Sequence, residues 1–141
     1  MSRLAGLRGA LVVLACLGAL TACGGDDIIT SSAPVEVEVG KTFGWNGFEV
    51  ADGWELDAVE RSVGADTVTT PVVTGTITNK IDEERAALFE IVFSADGEPV
   101  ATVNCSAASM VTDQSQQFDC PGLSATMPDD YDAVVVQEFS G

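Results

Sequence analysis

Carboxylates are the only polar side chains in this sequence numerous enough to suggest chemistry. The 141 residues carry 22 Asp and Glu against six Lys and Arg, with no His, for a formal charge of −16 at pH 7. Two runs stand out, Asp82-Glu83-Glu84 and Asp129-Asp130 followed by Asp132. Ca²⁺ binds through several oxygen ligands, which makes Asp129, Asp130 and Asp132 a candidate cation contact. Neither run has the spaced Asp/Asn–Gly–Glu pattern of a calcium loop, and each is flanked by turn-like residues, as a solvated loop would be. Two carboxylates about 5–10 Å apart across a cleft could hydrolyse a glycoside, but with so many acids almost any spacing occurs, so no pair is singled out. The missing histidines remove the usual general base, the commonest metal ligand and every Ser–His or Cys–His nucleophile pair. The acidic balance excludes a protein that tracks along phosphates. No Gly-rich phosphate loop and no dinucleotide fingerprint is present. Trp45 and Trp54 are the last candidates: exposed, they would form a stacking or partner-binding platform, and buried, they would fill a core.

The elements that must position these residues are strands. From Val35 onward the apolar period is two. Val35, Val37 and Val39 alternate with Glu36 and Glu38, and Phe43 and Trp45 lead to Asn46-Gly47, a type I′ hairpin signal. Phe48 and Val50 precede Asp52-Gly53, and Trp54, Leu56 and Ala58 continue the alternation, which places both indoles in phase with core residues. Val68–Asn79 is rich in Val, Thr and Ile, with Pro71 pointing to an edge or bulge. Phe89, Ile91 and Phe93 face one way and Leu88, Glu90 and Val92 the other; Asp96-Gly97 marks a second turn, with Val100–Cys105 returning antiparallel. Phe118–Pro121 and Val134–Phe139 complete the series. About seven or eight short strands at such spacing favour an all-β sandwich. Asp82–Leu88 holds the one run of helix formers and predicts a short helical turn.

The N-terminal segment stands apart. Arg3 and Arg8 precede an apolar run from Ala10 to Leu20, too short for the roughly 20 residues of a membrane-spanning helix. The run closes on Leu20-Thr21-Ala22-Cys23, which resembles the lipobox of bacterial lipoproteins. In that family the Cys sulfur receives a lipid and a peptidase cleaves before it. The resemblance implies a signal peptide over 1–22, a lipidated Cys23, and anchorage on the extracytoplasmic face of the cell membrane. Residues 23–34, with Gly24-Gly25-Asp26-Asp27 and Thr30-Ser31-Ser32-Ala33-Pro34, read as a flexible tether, and the domain spans 35–141. Cys16 leaves with the signal and Cys23 carries the lipid, so Cys105 and Cys120 remain as a pair in an oxidising compartment, where a disulfide is the simplest inference. A two-Cys metal site is the alternative, and it would need carboxylate partners. Cleavage removes two arginines and no acid, leaving four basic against 22 acidic residues, a net charge of −18. Such a body is repelled by anionic headgroups and stands off the membrane.

Gly75-Thr76-Ile77-Thr78-Asn79, Phe89-Glu90-Ile91-Val92-Phe93, Asp96-Gly97 and Val100 together resemble the FxLYD-type immunoglobulin-like domain. With Phe48, Gly53-Trp54, the pair near Cys105 and Cys120, and Tyr131-Asp132, the chain is similar to secreted lipoproteins of high-GC Gram-positive bacteria. The resemblance implies an immunoglobulin-like sandwich and an envelope location, with no catalytic signature. The expectation is therefore a lipid-anchored, extracytoplasmic, non-catalytic binding or accessory module with an envelope protein partner and no cofactor. The alternatives are a small-ligand or divalent-cation receptor using the acidic loops, and a carboxylate hydrolase.

Overall fold

The computed structural model describes residues 27–122 and 125–141. Cys23 and the expected signal peptide lie outside the described residues. Nine strands follow in order: β1 (Val35–Val37), β2 (Phe43–Trp45), β3 (Phe48–Val50), β4 (Glu55–Val63), β5 (Asp66–Asn79), β6 (Arg85–Ala95), β7 (Glu98–Met110), β8 (Ser115–Pro121) and β9 (Ala133–Glu138). Three of them are only three residues long, and the count is slightly above the seven or eight expected. All pairs are antiparallel. The order β1-β9-β6-β7-β8-β5-β3-β2 makes one sheet, with β4 joined to β5 alone. The end strands β1 and β2 are consecutive in the chain, so the sheet folds over into a nearly closed, all-β, immunoglobulin-like sandwich.

Alternation decides which side chains fill it. Phe89, Ile91 and Phe93 are fully buried, while Leu88 on the opposite face of β6 is 56% exposed. Phe89 meets Trp45 of β2 and Phe118 of β8 from across the sandwich, each with ring centroids 5.9 Å away. Both hairpin turns have the conformation their residues favour: φ is 48° and 80° at Asn46-Gly47, and 52° and 82° at Asp96-Gly97. Positive φ at both central positions is what a type I′ turn requires.

The layers meet at β7 and β8, where Ser106 opposite Asp119 is the only paired register position. The Cys105–Cys120 disulfide lies beside that pair, with both cysteines buried. It fastens the corner where the backbone ladder is thinnest. For a loop of this size the cross-link contributes about 3 kcal/mol.

Two sequence expectations are corrected. Among the described residues there is no helix, and Arg85–Leu88 begin β6 instead of forming a helical turn. Ala87 and Phe89 point into the core while Ala86 and Leu88 point out, so burial with period two overrides local helix propensity. Pro71 does not mark an edge either: β5 is paired by β4 and β3 on one side and by β8 on the other. The Pro71 carbonyl accepts from Gly122 N at 2.9 Å, on the side where β8 ends at Pro121. Its missing N–H therefore falls opposite a strand end, where no ladder bond is lost.

Candidate functional site

Among the residues singled out by sequence, only the cysteine pair is brought together as expected. Trp45 and Trp54 are 3% and 1% exposed, so neither presents a ring face to a partner. Their indole N–H groups donate to Ala33 O at 3.2 Å and to Lys41 O at 2.7 Å, which completes their burial. Gly75 makes the room for Trp54: a Cβ there would come within 2.8 Å of Trp54 Cβ and of Phe118 Cε1.

The acidic runs do not converge. Asp129, Asp130 and Asp132 are exposed, and no group of three or more Cys, Asp or Glu side chains could hold a metal ion among the described residues. The Asp132 carboxylate instead accepts from Asp96 N at 3.2 Å, and Asp132 N donates to Ser94 O at 2.9 Å; these bonds seat the start of β9 on the β6–β7 hairpin. Asp82 and Glu84 accept from Thr112 Oγ1 and Ser109 Oγ, at 3.3 and 3.0 Å. A hollow of about 340 Å³ is lined by Val37, Val39, Tyr131 and Val134 together with Glu36, Glu38 and Asp132.

The tether is shorter than its composition suggests. Ile29 O and Ser31 O accept from Gly47 N and Asn46 N at 2.7 and 2.9 Å, and Ala33 O accepts from the Trp45 indole. Residues 29–33 thus form a strap bonded to the tip of the β2–β3 hairpin, and Ile29 lies against Gly44. Alternate carbonyls find donors, and Ile28-Ile29 is the apolar pair that a free polar linker would lack. The strap lies at the end of β5 occupied by Asn79, because Phe48 pairs with Asn79 and Lys80 N donates to Gly47 O at 2.9 Å.

The opposite end of β5 is built differently. β4 and β5 stay in register from Glu55–Thr74 to Val63–Asp66, whereas β8 leaves β5 at Val72. Gly122 N and Met127 N still donate to Pro71 O and Thr69 O, both at 2.9 Å, and beyond Thr69 the hairpin continues as a two-stranded ribbon. Val59, Arg61 and Val63 alternate along one face of β4, opposite Thr70, Val68 and Asp66. Val59, Val63 and Val68 are exposed, Val63 at 59%. Arg61 Nε donates to Thr70 Oγ1 at 3.0 Å; the one salt bridge among the described residues, Lys80–Asp113, lies at the other end of the molecule. Exposed valines around a guanidinium, with Asp57 and Asp66 on the same face, fit protein docking.

Sequence reasoning missed this ribbon. The one trace it leaves is Val59, Val63 and Val68 in a stretch where the inward positions are Ala, Glu and Ser. Comparison of the chain with protein-family models, with curated proteins and with solved structures gives no match.

Proposed function

We propose that the protein is a lipid-anchored, extracytoplasmic, non-catalytic binding module of the cell envelope, which holds the strap pole at the membrane and offers the β4–β5 ribbon to a protein. The observation that carries this reading is the separation of the two ends. Ile29, six residues after Cys23, is bonded at the Asn79 end of β5, and the ribbon tip is at Asp66. A strand of that length spans roughly 40 Å at 3.3 Å per residue. A lipid on Cys23 would then put the ribbon at the far side of the domain, clear of the headgroups that its negative charge avoids.

The test uses the full-length protein in its native envelope. Cys23→Ala should release it from the membrane or leave an unprocessed precursor; normal processing with unchanged retention overturns the anchor. A photocrosslinker at Val63 should capture protein, whereas one at Asp113, at the Asn79 end of β5, should not. Equal capture from both ends would deny the ribbon its role.

A further inference from the structure

Among the described residues, the nine-residue strand β4 has no partner along its outer edge. Sheets end safely when their edge strands are short, covered, bulged, interrupted by proline or charged. The end strands β1 and β2 are short, and the strap is bonded to the tip of the hairpin that β2 forms with β3. β4 has only charge among these devices, at Glu55, Asp57, Glu60 and Arg61: its nine residues contain no Pro or Gly, and its register with β5 is unbroken. Among the described residues its backbone bonds to nothing but β5.

The direction of the free backbone groups follows from the bonds on the far side of β5. Thr69 O and Pro71 O accept from Met127 N and Gly122 N, so these two residues turn their polar groups away from β4. Their opposites, Glu60 and Ala58, therefore turn theirs outward, as do Leu56 and Ser62 two residues further along. A second strand can pair antiparallel here only if it brings outward residues opposite outward residues.

We infer that the occupant of this edge is a second copy of the same chain, joined β4 to β4 about a two-fold axis at Val59. The inference rests on the ribbon being a protein-docking element and names its partner. In this register Ala58 of one copy faces Glu60 of the other, Leu56 faces Ser62, and these pairs exchange the backbone bonds. Asp57 then faces Arg61 twice, by symmetry, in a pair of the closer, non-hydrogen-bonded kind. Arg61 thereby gains the carboxylate it lacks, with its Nε already held by Thr70. Diagonal to it lies Glu55 of the other copy. No two like charges stand directly opposite, which is the condition for cross-strand stabilisation.

The neighbouring hydrogen-bonding registers are poorer. One is centred on Glu60 and sets two carboxylates on the axis. The other is centred on Ala58; it moves Glu55 opposite Arg61 but pushes Ser62 and Val63 past the start of the facing strand. Charge placed this way selects a register instead of blunting an edge. The contact is isologous, so it closes at two copies. The acidic bulk does not prevent it, because charges beyond a Debye length of about 8 Å are largely screened at physiological ionic strength.

Val59→Cys in the full-length protein tests the axis directly. The thiols of two copies would meet across a non-hydrogen-bonded pair, whose Cα separation suits a disulfide. A covalent dimer is expected on non-reducing gels, collapsing to monomer with reductant. Val63→Cys, which faces Glu55, should not crosslink. In cells carrying two differently tagged copies, Arg61→Asp in both should lower co-capture by about tenfold, since it opposes like charges at two positions. The exchange D57R/R61D in both should restore it. A Val59→Cys protein that stays monomeric while its thiol reacts with maleimide overturns the inference, as does equal dimer from Val63→Cys or failure of the exchange to rescue. If self-pairing fails while the crosslinker at Val63 captures a different protein, the docking reading stands without the dimer; if it captures none, both fall.

Discussion

The two ends of β5 belong to one strand yet have opposite fates. At the Asn79 end the polar groups of Asn79 are all used inside the molecule. The Asn79 side chain is buried, its Nδ2 donates to Glu83 O at 2.7 Å and Met110 O at 2.8 Å, and its Oδ1 accepts from Ile81 N at 3.3 Å. Its backbone bonds Gln114 O and Asp113 N, while Lys80 Nζ meets Asp113 at 3.4 Å and the Arg85 guanidinium sits 4.4 Å from the Phe48 ring centre. At the Asp66 end the outer edge is unpaired, three valines face solvent and the guanidinium of Arg61 has no carboxylate partner among the described residues. A buried polar group must be bonded or the fold is destabilised, so the closed end suits an attachment point. The open end keeps a strand edge that no other part of the described chain pairs.

The largest effect should come from the side chain that joins strap to core. Trp45→Ala removes the ring packed on Phe89 and the donor to Ala33 O, and should cost about 3–5 kcal/mol in chemical denaturation. A loss as small as that of a surface substitution would mean that the strap end is loosely built. Reduction of Cys105–Cys120 should follow at about 3 kcal/mol, lowering Tm by more than roughly 10 °C. Because the bridge fastens the thin β7–β8 corner, hydrogen exchange should rise first in β8, while the ribbon should change little. Asn79→Ala should cost about 1–3 kcal/mol, because it orphans the buried Met110 carbonyl and also removes the bond to Glu83 O. Asn79→Asp sharpens the point: it keeps the volume but removes both donated bonds, and should cost at least as much.

What could be read from the sequence depends on whether a segment has a core to face. Phe89, Ile91 and Phe93 alternate because one side of β6 is buried, and Asn46-Gly47 and Asp96-Gly97 announce their turns through backbone conformations that few other pairs accept. The cysteine pairing was legible by count. The ribbon was not, because beyond Ala58 neither face of β4 meets a core, so nothing requires the alternation that marks a strand. Trp45 and Trp54 illustrate the reverse: indole chemistry suits a surface or a core equally, and only the space left by Gly75 and the carbonyls of Ala33 and Lys41 decides. The acidic runs could not be interpreted by spacing, since Asp132 and Glu84 spend their oxygens on local bonds that depend on which loops the topology brings near. The strap escaped for a similar reason: its polar composition matches a linker, and its bonds depend on the hairpin turn beside it.

The smallest effect on stability should be the most informative about the open end. Val63 is more than half exposed and opposes Asp66 at the last register position of the ribbon. Val63→Ser should therefore change monomer stability by less than about 0.5 kcal/mol. In the paired arrangement Val63 lies against the aliphatic part of Glu55 of the second copy, beside the Asp57–Arg61 pair. Dimerisation stabilises the folded state by mass action, so the wild-type Tm should rise with protein concentration, and Val63→Ser should flatten that dependence while leaving the dilute-limit Tm unchanged. A shift at every concentration would mean that Val63 supports the fold itself, and the ribbon would then be structure instead of spare surface. A concentration dependence that survives Val63→Ser but is lost with Arg61→Asp would locate the self-association in the Asp57–Arg61 charges and leave the valine face to a different protein.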